Sequence, residues 1–407
     1  MDIFDKYALI SARHDQLLEA GLDPFGVCME EVYSATEARI SGRRTILAGT
    51  NNYLGITFDD ACIEAATGAI QKHGTGTTGS RVANGTYAPH RELEEELARF
   101  MNRRAAIVFA TGYQANLGML SGLTGQKDVI LMDADSHASI YDGSRLSGAK
   151  VVRFRHNDPE DLDRRLSRLE GDGVCRLIIV EGVYSMLGDR SPLAEVAEVK
   201  RRHDAYLLVD EAHSLGVCGH NGRGAAEEEG VEDDVDFVVG TFSKSLGAVG
   251  GFAVSNHPRF ETLRYCSRPY MYTASPSPSN VASVLMALRR IRAEPERRLR
   301  LWRNAEAVHA GLTELGFEIC SPMSPIIAVR LGDEETAIRT WNLLLQNGVY
   351  VNLALPPGTP DGACLLRCSV CAAHTDEQIS EIVKAFAVVA QVLSEQNTPS
   401  AIAHGAQ

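Results

Sequence analysis

The sequence predicts an α/β protein, with a large domain built on a mostly parallel, seven-stranded sheet and a smaller α+β domain towards the C-terminus. Three observations carry that expectation. Seven short β-branched runs alternate with helical stretches between residues 105 and 254. Several of these runs (LIIVEG, YLLVDEAH, DFVVGTFSK) are almost unbroken in apolar residues, as strands covered on both faces must be. From about Pro278 the pattern changes to a long helical stretch rich in Arg and Leu, then to short strands and a closing helix from Asp376.

Taken in order, the chain opens with a charged helical pattern, and 1–47 is expected to form an N-terminal segment. The strands of the large domain (48–280) are expected at Ala105–Ala110, Val129–Met132, Lys150–Phe154, Leu177–Glu181, Tyr206–Asp210, Phe237–Thr241 and Gly251–Val254. Polar residues gather at their C-terminal ends, where parallel sheets bind ligands. Residues 281–395 are assigned to the small domain, and 396–407, small and polar, to a flexible tail. The arginines of the long helical stretch read as a solvated face.

Bulk properties exclude several classes. The 407 residues are 44% hydrophobic, enough for more than one compact core. The net charge of -13, with no dense basic stretch, argues against a nucleic-acid partner. The N-terminus has no apolar core followed by a cleavage site, and no apolar run is long enough to span a bilayer. A cytoplasmic location is therefore expected, with at most peripheral contact at the inner face of the membrane. Nine cysteines without paired spacing read as reduced thiols. Cys364, Cys368 and Cys371 have a spacing that can hold an iron–sulfur cluster, but on an extended segment Cys368 and Cys371 point to opposite faces. They are read as small buried side chains, and no metal site is assigned.

The sharpest chemical signal is GTFSKSLGAVGG, Gly240–Gly251, where a buried strand ends in hydroxyl residues, one lysine and glycines. A partly desolvated lysine there favours the neutral amine that Schiff-base chemistry needs. Thr241 and Ser243 could then serve a cofactor phosphate, although the loop taken alone is equally compatible with a surface lysine. Asp210, ending another buried strand in LLVDEAH, could keep a pyridine nitrogen protonated, and His213 could reach the ring's phenolic oxygen. A strand-end Asp capping a turn, or a nucleotide-hydrolysis string, is the alternative. Asp210 and Lys244 are 34 residues apart, which reads as consecutive strands and favours the cofactor.

TGYQANLG opens a helix directly after a strand, so its backbone N–H groups suit phosphate, and Gly112 lets the chain approach closely. His137 in DADSHASIYDG could stack on a flat ring or simply be hydrogen-bonded. Arg367, alone among apolar neighbours in LLRCSV, has the fork that grips a carboxylate, a structural ion pair being the alternative. Asn52 in GTNNYLG could supply a second donor.

In this order along the chain, GTGTTGSRVANGT, DADSHASIYDG, EGVYSMLGDRSPL, DEAHSLGVCGHNGRG, GTFSKSLGAVGG and LLRCSVCAAHT resemble the α-oxoamine synthases, fold-type I pyridoxal-phosphate (PLP) enzymes of aspartate aminotransferase-like fold. The resemblance covers roughly residues 40–390. Within the family the chain is most similar to bacterial members that condense L-serine with palmitoyl-CoA. The resemblance implies that Lys244 bonds the cofactor aldehyde, Asp210 partners the pyridine nitrogen, His137 stacks on the ring and orients the substrate, and His213 meets the phenolic oxygen. It assigns Gly112, Tyr113, Thr241 and Ser243 to the phosphate, and Asn52 and Arg367 to the substrate carboxylate. Thr273 and Ser275 in YTAS would reach the phosphate of the neighbouring subunit in a homodimer. Glu181 and Ser185 fall where the family lines the ring and the acyl pocket. Donors other than CoA, such as an acyl-carrier protein, stay open, as do a sister synthase using glycine or alanine and an aminotransferase. The LPPGTP loop, Leu355–Pro360, departs from the pattern and leaves acyl preference undetermined.

Overall fold

The structure, a computed structural model, describes residues 2–169 and 174–397. Most of the tail expected at 396–407 lies outside the described residues. The chain enters through an exposed helix, Ala8–Glu19, and three short strands, β1 (Glu31–Val32), β2 (Glu37–Ile40) and β3 (Arg43–Leu47). The central sheet then takes β4 (Ala105–Phe109), β5 (Val129–Asp133), β6 (Lys150–Phe154), β7 (Arg176–Glu181), β8 (Tyr206–Asp210), β9 (Phe237–Thr241) and β10 (Gly251–Ser255), in the spatial order β4-β10-β9-β8-β7-β5-β6. All its pairings are parallel except those of β10, which runs antiparallel to both β4 and β9.

Side chains alternate along these strands into two cores. Ile130, Ile179, Leu208 and Val239 enter one; Leu131, Ile178, Val180, Leu207, Val209 and Val238 enter the other. Burial on both faces is the reason for the unbroken apolar runs. The parallel strands end together, so Asp133, Glu181, Asp210 and Thr241 emerge along one edge, with Glu181 directly opposite Asp210.

The helical stretch after Pro278 is two helices rather than one, Pro278–Ala293 and Pro295–Glu314. Pro295 disfavours a helical Glu294 (φ -126°, ψ 64°) and itself begins the second helix. The first helix, over which the expected boundary at residue 280 falls, puts Val281, Val284, Leu288 and Ile291 into the core of the large sheet. The arginines are not all solvated: Arg290 and Arg297 both reach the buried Asp59, and Arg298 is buried against the His220 carbonyl.

The remaining strands are β11 (Ile326–Leu331), β12 (Val349–Tyr350), β13 (Asn352–Ala354) and β14 (Cys364–Ser369). β11, β14 and β13 form an antiparallel sheet with Arg367 at its centre, opposite Ala328 and Asn352. β12 pairs with β3, which joins the N-terminal segment to this smaller unit. β14 ends at Ser369, so Cys371 lies beyond the strand in a turn; burial pushes the Cys368 and Cys371 thiols up to about 12. Among the described residues no cluster of His, Cys, Asp and Glu could hold a metal, and no helix is long and apolar enough to cross a membrane.

Candidate active site

A cavity of about 310 Å³ opens at the C-terminal edge of the large sheet. Gly112, Tyr113, His137, Glu181, Asp210, His213, Thr241, Ser243 and Lys244 all line it, so nine of the residues singled out in the sequence meet there.

β8 delivers Asp210, and the following turn closes on its carboxylate, whose Oδ1 accepts the Ala212 N–H at 2.9 Å. Oδ2 accepts from Asn116 Nδ2 at 2.7 Å, and the same amide group donates to Ser139 Oγ at 2.9 Å. Lys244 stands three residues beyond β9. Burial of its amine brings the pKa down to about 8, against the opposing pull of Asp210 and Glu181. Lys244 and Asp210 line the same cavity without forming an ion pair.

His137 caps the helix Ala138–Ser147, and its Nδ1 lies 2.7 Å from Ser139 Oγ. Its backbone N–H donates to Glu181 Oε1. Burial, with Asp210 next, holds the Glu181 carboxyl well above the usual carboxylate range. His213 is buried; desolvation and then the Lys244 and Arg367 cations hold it well below the usual histidine range, hence neutral. Its Nδ1 is 2.7 Å from Tyr53 Oη.

Thr111 caps the helix Gly112–Leu123 by accepting the Gln114 N–H, and this helix start faces Thr241 and Ser243, whose hydroxyls are 2.9 Å apart. A Cβ on Gly112 would lie 2.7 Å from Thr241 Cβ, so only glycine leaves this cradle open. Tyr113 turns its ring edge to His137 and donates its hydroxyl to Asp142.

Arg367 projects from β14 and is 6% exposed. It donates to the Ser185 carbonyl (2.6 Å), Ser369 Oγ (2.7 Å), Asn51 Oδ1 (3.0 Å) and Tyr53 Oη (3.4 Å). All four are neutral oxygens: a buried cation with no carboxylate partner is prepared for an anion. Ser185 therefore contributes its backbone rather than its hydroxyl. Beside the guanidinium stands Asn51; Asn52 turns its Nδ2 to Thr57 Oγ1 (2.7 Å) and leaves its buried Oδ1 without a partner. Thr273 and Ser275 lie outside the cavity of their own chain. Gln114 donates to Thr273 Oγ1, and Ser275 Oγ is tied to Thr77 Oγ1 (2.8 Å) and the Gly85 carbonyl (2.6 Å).

Sequence reading missed Asn51, Tyr53 and Asn116. Tyr53 and Asn51 sit within the quoted GTNNYLG, but only the turn decides which side chains face inward; Asn116 lies one helical turn after Gly112, on its inward face.

The residues fit PLP on observations of this structure: a depressed amine for the aldehyde, a buried carboxylate in the same cavity for the ring nitrogen, and a helix start with an open glycine and paired hydroxyls for the phosphate.

The fold and site define a PLP-dependent transferase, and comparison with known proteins agrees. The aminotransferase class I and II family profile matches residues 44–386, and the chain belongs to that family. It is 57% identical over 393 residues to the serine palmitoyltransferase of Caulobacter vibrioides, covering 97% of each chain. It is 52% identical to that of Sphingomonas paucimobilis, over 95% of this chain and 92% of the relative. A solved serine palmitoyltransferase carrying PLP superposes with a TM-score of 0.95 at 50% identity, covering 97% of this chain and all of the other.

Proposed function

We propose that the protein uses PLP to condense L-serine with palmitoyl-CoA, releasing CoA and carbon dioxide and giving 3-ketodihydrosphingosine, the first step of sphingolipid synthesis. One observation carries the reading: the Lys244 amine and the Asp210 carboxylate share one cavity without pairing, and the unpaired Arg367 guanidinium stands close enough to depress the lysine further.

When bound, PLP supplies the electron sink that makes negative charge at the amino acid's Cα tolerable. Asp210 would hold a proton on the pyridine nitrogen, while Asn116 and the Ala212 N–H keep the carboxylate aimed. His137 would cover the ring and orient the substrate, and neutral His213, steadied by Tyr53, would donate to the phenolic oxygen. Gly112, Tyr113, Thr241 and Ser243 would receive the phosphate. Arg367, with Asn52, would hold the serine carboxylate; Asn51 is better placed than Asn52 to steer the guanidinium. Lys244 Nζ, neutral in a useful fraction near pH 8, takes the Cα proton and later returns one. Glu181 and Ser185 border the ring and the acyl side. Thr273 and Ser275 are assigned to the phosphate of a second copy, in a homodimer.

The test is the visible spectrum of the holoprotein titrated with serine, glycine and alanine, then with palmitoyl-CoA while free thiol is followed. A spectral shift with serine, and thiol only when serine and palmitoyl-CoA are both present, is expected. Thiol release supported by glycine or alanine instead of serine would move the protein to a sister synthase. Amino transfer to a 2-oxo acid without thiol would make it an aminotransferase.

A further inference from the structure

Outside the cavity, His156 gathers a separate cluster of charged side chains. The structure places it two residues past β6, between two aspartates on different elements. Its Nδ1 lies 2.8 Å from Asp133 Oδ1, at the end of β5, and its Nε2 lies 2.6 Å from Asp189 Oδ2, in the loop after β7. Asn157 repeats the link: its N–H donates to Asp133 Oδ2 (2.9 Å), and its Nδ2 to Asp189 Oδ2 (2.8 Å) and the Arg190 carbonyl (3.0 Å). Tyr184 covers the ring edge-on, at 4.5 Å between centroids, and Asp135 lies 3.9 Å from Nδ1. Burial alone would pull the imidazole pKa down, but the bonds to Asp133 and Asp189 outweigh it and push it to about 10, so both ring nitrogens carry protons and both donate.

The two ends of this clamp lead to different parts of the site. Asp133 begins the turn that carries His137. Asp189 closes a hairpin, where Val183 bridges Arg190, the Tyr184 N–H donates to the Asp189 carbonyl, and the Gly188 N–H to the Tyr184 carbonyl. The hairpin's tip rests on the small unit. Ser321 Oγ donates to the Leu187 carbonyl, and a Cβ on Gly188 (φ +80°) would lie 2.5 Å from the Ile326 carbonyl. Within the hairpin the Ser185 carbonyl accepts Arg367 Nε at 2.6 Å.

We propose that the Asp133–His156–Asp189 clamp is a positioning device for the amino-acid carboxylate: it holds the 183–190 hairpin, whose Ser185 carbonyl sets the direction of the Arg367 fork. His156 is thus a positioning residue, acting through the hairpin on a guanidinium it does not touch. The inference rests on the reading of Arg367 as the carboxylate grip. A misdirected fork loses its bidentate geometry, and small displacements of such a group are costly.

The test compares His156→Gln with wild type as holoproteins, by the dissociation constants of L-serine and of ethanolamine, the same amine without a carboxylate. Hydrogen exchange across residues 182–191 is measured alongside. Expected are a serine constant raised about tenfold or more, an ethanolamine constant within about twofold of wild type, and faster exchange in the hairpin. A folded variant that binds serine as wild type does, or that weakens for both amines equally, would overturn the proposal. Should His156→Gln not fold, Asp189→Asn removes one charged jaw while keeping an acceptor, and is judged by the same criteria. Arg367→Gln separates the two readings: if it leaves serine binding unchanged, the carboxylate grip and this proposal both fall; if it weakens serine while the clamp variants do not, the clamp proposal alone falls.

Discussion

Replacing Arg367 by glutamine removes a buried cation of the site that, among the described residues, has no carboxylate partner. Its four contacts, to the Ser185 carbonyl, Ser369 Oγ, Asn51 Oδ1 and Tyr53 Oη, are to neutral oxygens at 2.6–3.4 Å. They orient the group without discharging it. These contacts occupy four of the five guanidinium N–H groups, so an arriving substrate carboxylate would take the fifth and displace the long contact to Tyr53 Oη (3.4 Å); the two charge-assisted hydrogen bonds gained are together about 3–5 kcal/mol, of which glutamine recovers about 1 kcal/mol through a neutral bond. The remainder predicts that serine binds about 10²-fold more weakly to Arg367→Gln. Ethanolamine lacks the carboxylate, so its affinity should barely change, and the preference of wild type for serine over ethanolamine should collapse in the variant. Paired titrations of the cofactor absorbance of wild-type and variant holoprotein, two ligands against two proteins, isolate this coupling from general damage. A serine constant within about threefold of wild type, or equal weakening of both ligands, would refute the assignment.

Other outcomes follow from the same geometry. In cofactor-free protein the reaction of Lys244 with an amine-directed acylating probe should rise with pH through a midpoint of about 8, and Asp210→Asn should move that midpoint down, because the lost carboxylate favours the charged amine; a midpoint near that of a free lysine would contradict the burial argument. Gly112→Ala places a methyl 2.7 Å from Thr241 Cβ and should cost about 1–3 kcal/mol and hasten cofactor loss, read by thermal melting and by gel filtration of the holoprotein. The folded-state pKa of His156 is raised from 6.5 to about 10, so the stability it contributes is complete below about pH 6.5 and is lost as pH rises through 10. The gap in melting temperature between wild type and His156→Gln should therefore be widest near pH 6, on the order of 5 °C, and close towards pH 10. A gap that does not vary with pH would mean that the ring is neutral.

Much of the site was legible because its residues stand at strand ends. Asp210 and Lys244 follow two unbroken apolar runs, and an ionisable group there breaks a pattern that burial on both faces otherwise enforces. Gly112 was legible for a similar reason, since a glycine just after a strand and at a helix start marks a close approach. Asn51 and Asn52 were not separable, because adjacent residues in a turn point in different directions according to dihedral angles that local sequence does not dictate. The long helical stretch expected after Pro278 is divided into two helices; Pro295 carried the signal, but the Arg and Leu periodicity continues across it.

The sequence by itself determined the alternation of strands and helices, the parallel character of the sheet, and the residue types at its functional edge. These follow from hydrophobic periodicity and from the limited chemistry open to a lysine, an aspartate and glycines at strand ends. Only the tertiary structure decided which neutral oxygens hold Arg367, that Glu181 is buried beside Asp210 with its carboxyl pushed well above the usual range, and that His156 bridges Asp133 and Asp189. Apart from Ser369, two positions from Arg367, each of those depends on residues between 23 and 316 positions apart meeting at one point. Charge state and orientation are set by what surrounds a group in space, and a pattern read along the chain carries no distance across it.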